Sequence, residues 1–108
     1  MNDSKHDRST PLPIYWSDRA KADLVDIGDF IARDNPNAAL LWVEKLLLAV
    51  EKTAYMPFSG RVVPEFGRSE LREIIKGNYR IVYRIGNEKI DVLTVFEGHR
   101  RIPKLPVP

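Results

Sequence analysis

The sequence predicts an α+β fold in which an N-terminal helical hairpin packs on an antiparallel β-sheet. Apolar residues recur at helical spacing between Ser17 and Tyr55, and the period changes to two from Leu71 onward. The chain has 108 residues, 44% hydrophobic and 30% charged, which suits one core but not two. That composition argues against a disordered chain. The absence of cysteine excludes disulfides, thiolate catalysis and cysteine-ligated zinc, and it fits a reducing cytoplasm. No apolar run approaches the ~20 residues of a membrane span. No membrane partner is therefore expected.

Residues 1–13 read as a flexible N-terminal lead-in, broken by Pro11 and Pro13, with His6 solvated in it. Asp3 and Asp7 leave no apolar segment of the kind a signal peptide needs. Residues 14–108 read as one domain. Ile14, Tyr15 and Trp16 form a short strand-like run. Ser17 suits a helix N-cap, because its hydroxyl accepts from a first-turn N–H, and Asp18 then sits at the positive end of the helix dipole. Ala20, Leu24, Ile27 and Ile31 define one helical face.

Asp34-Asn35-Pro36 ends that helix and starts the next, with Asn35 as cap and Pro36 as first helical residue. The second helix runs to about Tyr55. Its apolar arc is wide, from Ala39 through Leu41, Trp42, Val43, Leu46, Leu47 and Val50 to Ala54, which suits contact with both a helix and a sheet. The short link makes the pair an antiparallel hairpin. Met56 to Gly60 is a stop and a loop, and residues 61–70 are irregular.

Leu71–Ile75, Tyr79–Ile85 and Lys89–Glu97 are the three main strands, joined by turns at Gly77-Asn78 and Gly86-Asn87. A two-residue loop at Gly77-Asn78 pairs Lys76 with Tyr79, Ile75 with Arg80, Ile74 with Ile81 and Glu73 with Val82. Alternation then puts Tyr79, Ile81, Tyr83 and Ile85 on the face expected to meet the helices, with Arg80, Val82 and Arg84 on the other. On the last strand, Ile90, Val92, Thr94 and Phe96 are expected on the Ile81 face. Asp91, Leu93 and Val95 are expected on the Arg80 face. With Leu71, Ile75, Val82, Leu93 and Val95, the Arg80 face is too apolar for water alone. Either the chain's own tail (Ile102, Leu105, Val107) or a partner covers it.

The net charge is +2. Residues 1–60 hold 7 Lys/Arg against 9 Asp/Glu, and residues 61–108 hold 10 against 6. The basic second half points to an anionic partner, with ordinary surface charge as the bland reading. There is no G-x-x-x-x-G-K-[ST] phosphate loop and no Ser/His/Asp pattern. The two histidines lie 93 positions apart and make a poor metal site. No cofactor and no metal are expected.

Leu71 to Arg101 resembles the C-terminal sheet of the RelE/ParE family of bacterial type II toxins. The residues that carry the resemblance are Gly77-Asn78-Tyr79-Arg80-Ile81-Val82-Tyr83-Arg84 and Gly98-His99-Arg100, with the Asn35-Pro36 break and Pro57-x-x-Gly60-Arg61 in the first half. The similarity spans about residues 14–101. It implies a RelE/ParE toxin-like fold, a cytoplasmic toxin encoded beside an antitoxin that neutralises it in a hetero-oligomer, and a role in plasmid stabilization.

The resemblance also implies one of two targets. ParE-like members inhibit DNA gyrase and are not nucleases. RelE-like members cut messenger RNA on the ribosome without a metal, which needs a base, an acid and cations against the developing phosphorane charge. Of the residues that RelE-like members use, Arg80 and Arg100 have counterparts here. The lysine positions hold Leu71 and Glu73, and no tyrosine follows Tyr83. His99 has a pKa range suited to acid–base work. The nuclease reading thus rests on Arg80, His99 and Arg100. The missing lysines and tyrosine favour the gyrase reading.

The expected partner-binding residues are Leu41 and Trp42 on the helical hairpin with Arg61, Arg72, Arg80, Arg84 and Arg100. Each has a plainer alternative. Arg84 can pair with Asp91 or Glu73, and Arg80 with Glu73, across strands. Arg61, Arg72 and His99 can be solvated surface, and Trp42 can be core.

Overall fold

The computed structural model describes residues 8–107. The elements are β1 (Ile14–Trp16), α1 (Asp18–Ala32), α2 (Pro36–Thr53), a 3-10 turn (Pro57–Ser59), β2 (Arg61–Val62), β3 (Leu71–Lys76), β4 (Tyr79–Ile85) and β5 (Ile90–Glu97). They make one five-stranded sheet in the order β1-β5-β4-β3-β2. β1 runs parallel to β5, and the other neighbours are antiparallel.

Both expected helix caps are in place. The Ser17 hydroxyl accepts from the Ala20 N–H at 3.0 Å, and Asn35 Oδ1 accepts from the Ala38 N–H at 3.1 Å. Ser17 also ties the start of α1 to β5: its hydroxyl donates to the Leu93 carbonyl and its N–H to the Val92 carbonyl. One residue thus caps the helix and docks it.

The helical hairpin covers one face of the sheet. Ala20, Leu46 and Val50 are buried against Ile81, Val92 and Val95, with Trp16, Leu24 and Ile27 packed around them. A second cluster fills the opposite face. There Val63, Leu71, Val82, Leu93 and Phe96 meet Leu105, flanked by Phe66, Ile102 and Val107. The chain's own tail, one of the two expected covers, packs on this face together with the 61–70 segment.

The β3–β4 pairing follows the expected register from Lys76–Tyr79 to Leu71–Arg84. The β5 alternation does not. Ile81 pairs with Val95 and Val82 with Thr94, but Tyr83 pairs with Val92, so a β-bulge leaves Leu93 unopposed. An extra residue in one strand reverses its alternation beyond that point. Val95 therefore faces the helices and Phe96 the tail, the reverse of the expectation. Asp23 on α1 satisfies the bulge: its carboxylate accepts from the Val95 N–H at 3.0 Å and from the Thr94 hydroxyl at 2.5 Å.

The lead-in also differs from expectation in its described part. Arg8 and Leu12 donate backbone N–H groups to the Tyr55 and Ala54 carbonyls, at 2.7 and 2.9 Å. Leu12 is buried beside Tyr83 and Ile90. Residues just beyond α2 carry carbonyls that the helix itself leaves unpaired, and this segment supplies their donors. The packed domain therefore begins before Ile14. His6 and the rest of residues 1–7 lie outside the described residues.

Candidate functional site

Arg80 sits on β4 and turns its guanidinium to the tail-covered face, where carboxylates neutralise it from two sides. Its Nε donates to Glu73 at 2.7 Å, and its two terminal nitrogens reach both Glu65 oxygens at 2.8 and 2.7 Å. The Phe96 ring lies 5.0 Å from it. Glu73 is fully buried, Arg80 is one-tenth exposed, and Arg61 takes the remaining Glu73 oxygen from the solvent side. Its hydrogen bonds to the Glu65 carboxylate raise the Arg80 pKa further above its usual range. Those from Arg80 hold the Glu65 carboxyl below its usual range. A cation needed against a phosphorane must be free to meet it, and this one is engaged.

The other two expected catalytic residues follow β5. The Arg80 stem lies against Gly98, next to His99, while its guanidinium is held by Glu73 and Glu65. His99 and Arg100 are exposed on the turn after β5. Arg100 and Arg101 line a groove against α1, near Asp26, Asp29 and Phe30. Arg100 thus faces the α1 groove, whereas the Arg80 guanidinium is taken up by carboxylates.

Several expected partner residues have structural duties. Arg84 pairs with Asp91 directly across the strand at 3.1 Å, and Lys89 reaches the same carboxylate at 3.4 Å. Arg72 donates to the Ser69 and Gly60 carbonyls at 2.8 and 3.1 Å and stacks 4.9 Å from the Phe58 ring. These contacts explain the Pro57-x-x-Gly60-Arg61 run. The buried Tyr83 hydroxyl donates to the Pro57 carbonyl at 2.7 Å and accepts from the Gly60 N–H at 3.1 Å. A Cβ on Gly60 would strike that hydroxyl.

On the hairpin, Leu41 is exposed and Trp42 is half-buried, packed edge-on against Tyr79 with 6.0 Å between ring centroids. Trp42 lies over Gly77, whose φ of 59° is left-handed and where a Cβ would meet the indole. Gly77 therefore serves both the hairpin turn and the close approach of the ring.

A further feature escaped sequence reasoning. A groove between α2 and β3 has Leu48, Ala49, Ile74 and Ile75 along it, and Lys45, Lys52, Lys76 and Arg61 at its margins. A signal was present in the repeat of Lys45-x-x-Leu48 as Lys52-x-x-Tyr55 seven residues on, but it needed β3 beside it to form a site. Glu65 was missed as well, because nothing in the irregular 61–70 segment foretells its reach to Arg80. Among the described residues, no group of three His, Cys, Asp or Glu side chains is placed to hold a metal ion. No helix there is long and apolar enough to cross a membrane.

Comparison with known proteins agrees with this architecture. The chain is similar to a protein of Sinorhizobium fredii (strain NBRC 101917 / NGR234) named "Putative toxin Y4kP", 36% identical over 95 residues that cover 85% of this chain and 94% of that one. Among solved structures, a chain of the chromosomal ParDE system from P. aeruginosa superposes with a TM-score of 0.67 at 20% identity, over 80% of this chain and 95% of that one. A chain of the RelBE2 toxin-antitoxin complex from Mycobacterium tuberculosis gives 0.59 at 21%, over 84% and 95%. At those identities the structural likeness is one of fold. The family model described as the ParE toxin of the parDE type II toxin-antitoxin system matches residues 14–102. The chain belongs to the ParE toxin family of type II toxin-antitoxin systems.

Proposed function

We propose that this chain is a toxin that inhibits DNA gyrase by binding it, in the cytoplasm, and that a cognate antitoxin neutralises it. The observation that carries the reading is the state of Arg80. The residue that would serve a phosphate in a RelE-like nuclease is held between Glu65 and Glu73. Glu73 itself stands where such a nuclease would place a lysine. The antitoxin contributes an amphipathic, partly acidic segment that crosses the hairpin at Leu41 and Trp42 and reaches the Arg61 and Arg72 side of the sheet. Arg84 and Arg100 are the outlying cations of that surface.

Adding purified chain to gyrase tests the first part. Supercoiling of relaxed plasmid is expected to fail, and expression in cells is expected to induce the DNA-damage response with filamentation. Arrest of translation with gyrase activity intact would overturn it. Co-expression of the protein encoded beside the toxin tests the second part, with restored growth as the expected result. The alternative reading, a RelE-like ribosome-dependent messenger endoribonuclease, has one observation on its side. His99 and Arg100 are exposed together on the β5 exit turn.

A further inference from the structure

The outward side of α2 repeats every seven residues. Leu40 and Leu47, Leu41 and Leu48, Glu44 and Glu51, and Lys45 and Lys52 each recur at that spacing, and Tyr55 extends the Leu41–Leu48 row. All of them are exposed. Seven residues are close to two helical turns, so each pair lies along the helix axis. Leu41, Leu48 and Tyr55 make the central row, between 48% and 59% exposed. Val43 packs on Gly28 of α1, which places Glu44 and Glu51 on the α1 flank of that row. Lys45 and Lys52 take the flank toward β3. Monomers rarely leave an apolar row of this kind bare.

The flanking charges specify what covers it. None of the four has an ion-pair partner among the described residues, and Lys45 rests only against the Trp42 ring at 4.9 Å. The helix itself offers no partner, because the residues three and four positions from each charge are all uncharged. Two glutamates and two lysines cancel, so the face favours neither an acidic nor a basic visitor. It complements itself in one direction. A two-fold that sets two α2 helices antiparallel keeps like flanks together, glutamate against glutamate. A two-fold that sets them parallel exchanges the flanks. Glu44 then faces Lys45 of the second copy, and Glu51 faces its Lys52, on both sides of a seam where each row residue meets its own counterpart.

We infer that the free chain pairs with a second copy of itself through α2, the two helices parallel, with Leu41, Leu48 and Tyr55 at the seam and glutamate–lysine pairs along both flanks. An apolar centre ringed by charge follows the general plan of protein interfaces. A seam of three residues a side makes a small one, so the dimer is weak and reversible. The inference does not rest on the antitoxin reading. Leu41 belongs to both surfaces, so a second copy and the antitoxin compete for it.

Sedimentation velocity of the purified full chain over a concentration series tests it. A monomer–dimer equilibrium is expected, several-fold weaker in high salt. Leu48→Glu, at an exposed position, is expected to keep the thermal midpoint and to weaken dimerisation at least tenfold. The double variants Lys45→Glu/Lys52→Glu and Glu44→Lys/Glu51→Lys are each expected to be monomeric alone and to associate when mixed. Because the chain has no cysteine, single cysteines report the direction. Leu41→Cys is expected to form a disulfide with itself and not with Tyr55→Cys. A chain that stays monomeric leaves this face to the antitoxin and overturns the inference. So do a Leu48→Glu protein that dimerises like wild type, charge variants that fail to pair when mixed, and cross-linking only between Leu41→Cys and Tyr55→Cys. Dimerisation without any neutralising protein would sink the antitoxin reading and leave this inference standing.

Discussion

Glu73→Gln probes the buried ion cluster around Arg80. In the wild type the buried Glu73 carboxylate accepts the Arg80 Nε–H at 2.7 Å and lies 2.6 Å from a terminal guanidinium nitrogen. Removing one partner of a buried ion pair costs about 3–5 kcal/mol when the other charge is left uncompensated. Here Glu65 still balances Arg80, and a glutamine oxygen still accepts one bond. The expected loss is therefore about 2–3 kcal/mol, within the range for hydrogen bonds to charged groups. For a domain of this size that is a fall in Tm of roughly 8–20 °C. Arg61→Ala is the matched control. Arg61 meets the same carboxylate, but its side chain is 60% exposed, so its loss should cost about 0–1 kcal/mol. Urea unfolding with an unchanged slope reads both. A Glu73→Gln protein within about 0.5 kcal/mol of wild type would refute the reasoning, as would an Arg61→Ala loss of equal size.

Three further outcomes follow from the packing. Tyr83→Phe strips a buried hydroxyl from the Pro57 carbonyl and the Gly60 N–H and should cost about 1–3 kcal/mol in urea unfolding. Gly77→Ala forces a Cβ against Trp42 at a left-handed φ and should cost about 1 kcal/mol or more, read in the same assay. Because Arg80 holds the Glu65 carboxyl below its ordinary 4.5, this contribution is full above pH 4.5 and lost as pH falls through the lower folded value. Unfolding measured from pH 6 to 3 should show an acid-side loss in wild type that shrinks in Glu65→Gln.

Local rules accounted for much of the fold. Ser17 and Asn35 announce their helices because a cap is a contact within a few residues. The Gly77-Asn78 turn fixes the β3–β4 register because a two-residue loop leaves one pairing. Non-local contacts were harder to read. The bulge opposite Val82 and Tyr83 exchanges Val95 and Phe96, and its stabilising carboxylate, Asp23, lies 72 positions away in the chain. Leu12, isolated between prolines, has no period to mark it as core. At the site, the Arg80–Glu73 and Arg84–Asp91 pairs were legible as cross-strand neighbours. Glu65 and the lysine-edged groove were not, since each depends on segments distant in sequence meeting across the sheet.

The central claim is that this toxin acts by binding and does not cut RNA. It is tested most directly by mapping messenger ends on ribosomes stalled with an occupied message and an empty A site, with purified chain added. Intact messenger is expected at concentrations that abolish gyrase supercoiling. A specific A-site cut that disappears in a folded Arg80→Ala protein would contradict the account, because the guanidinium held between Glu65 and Glu73 would then be needed for cleavage.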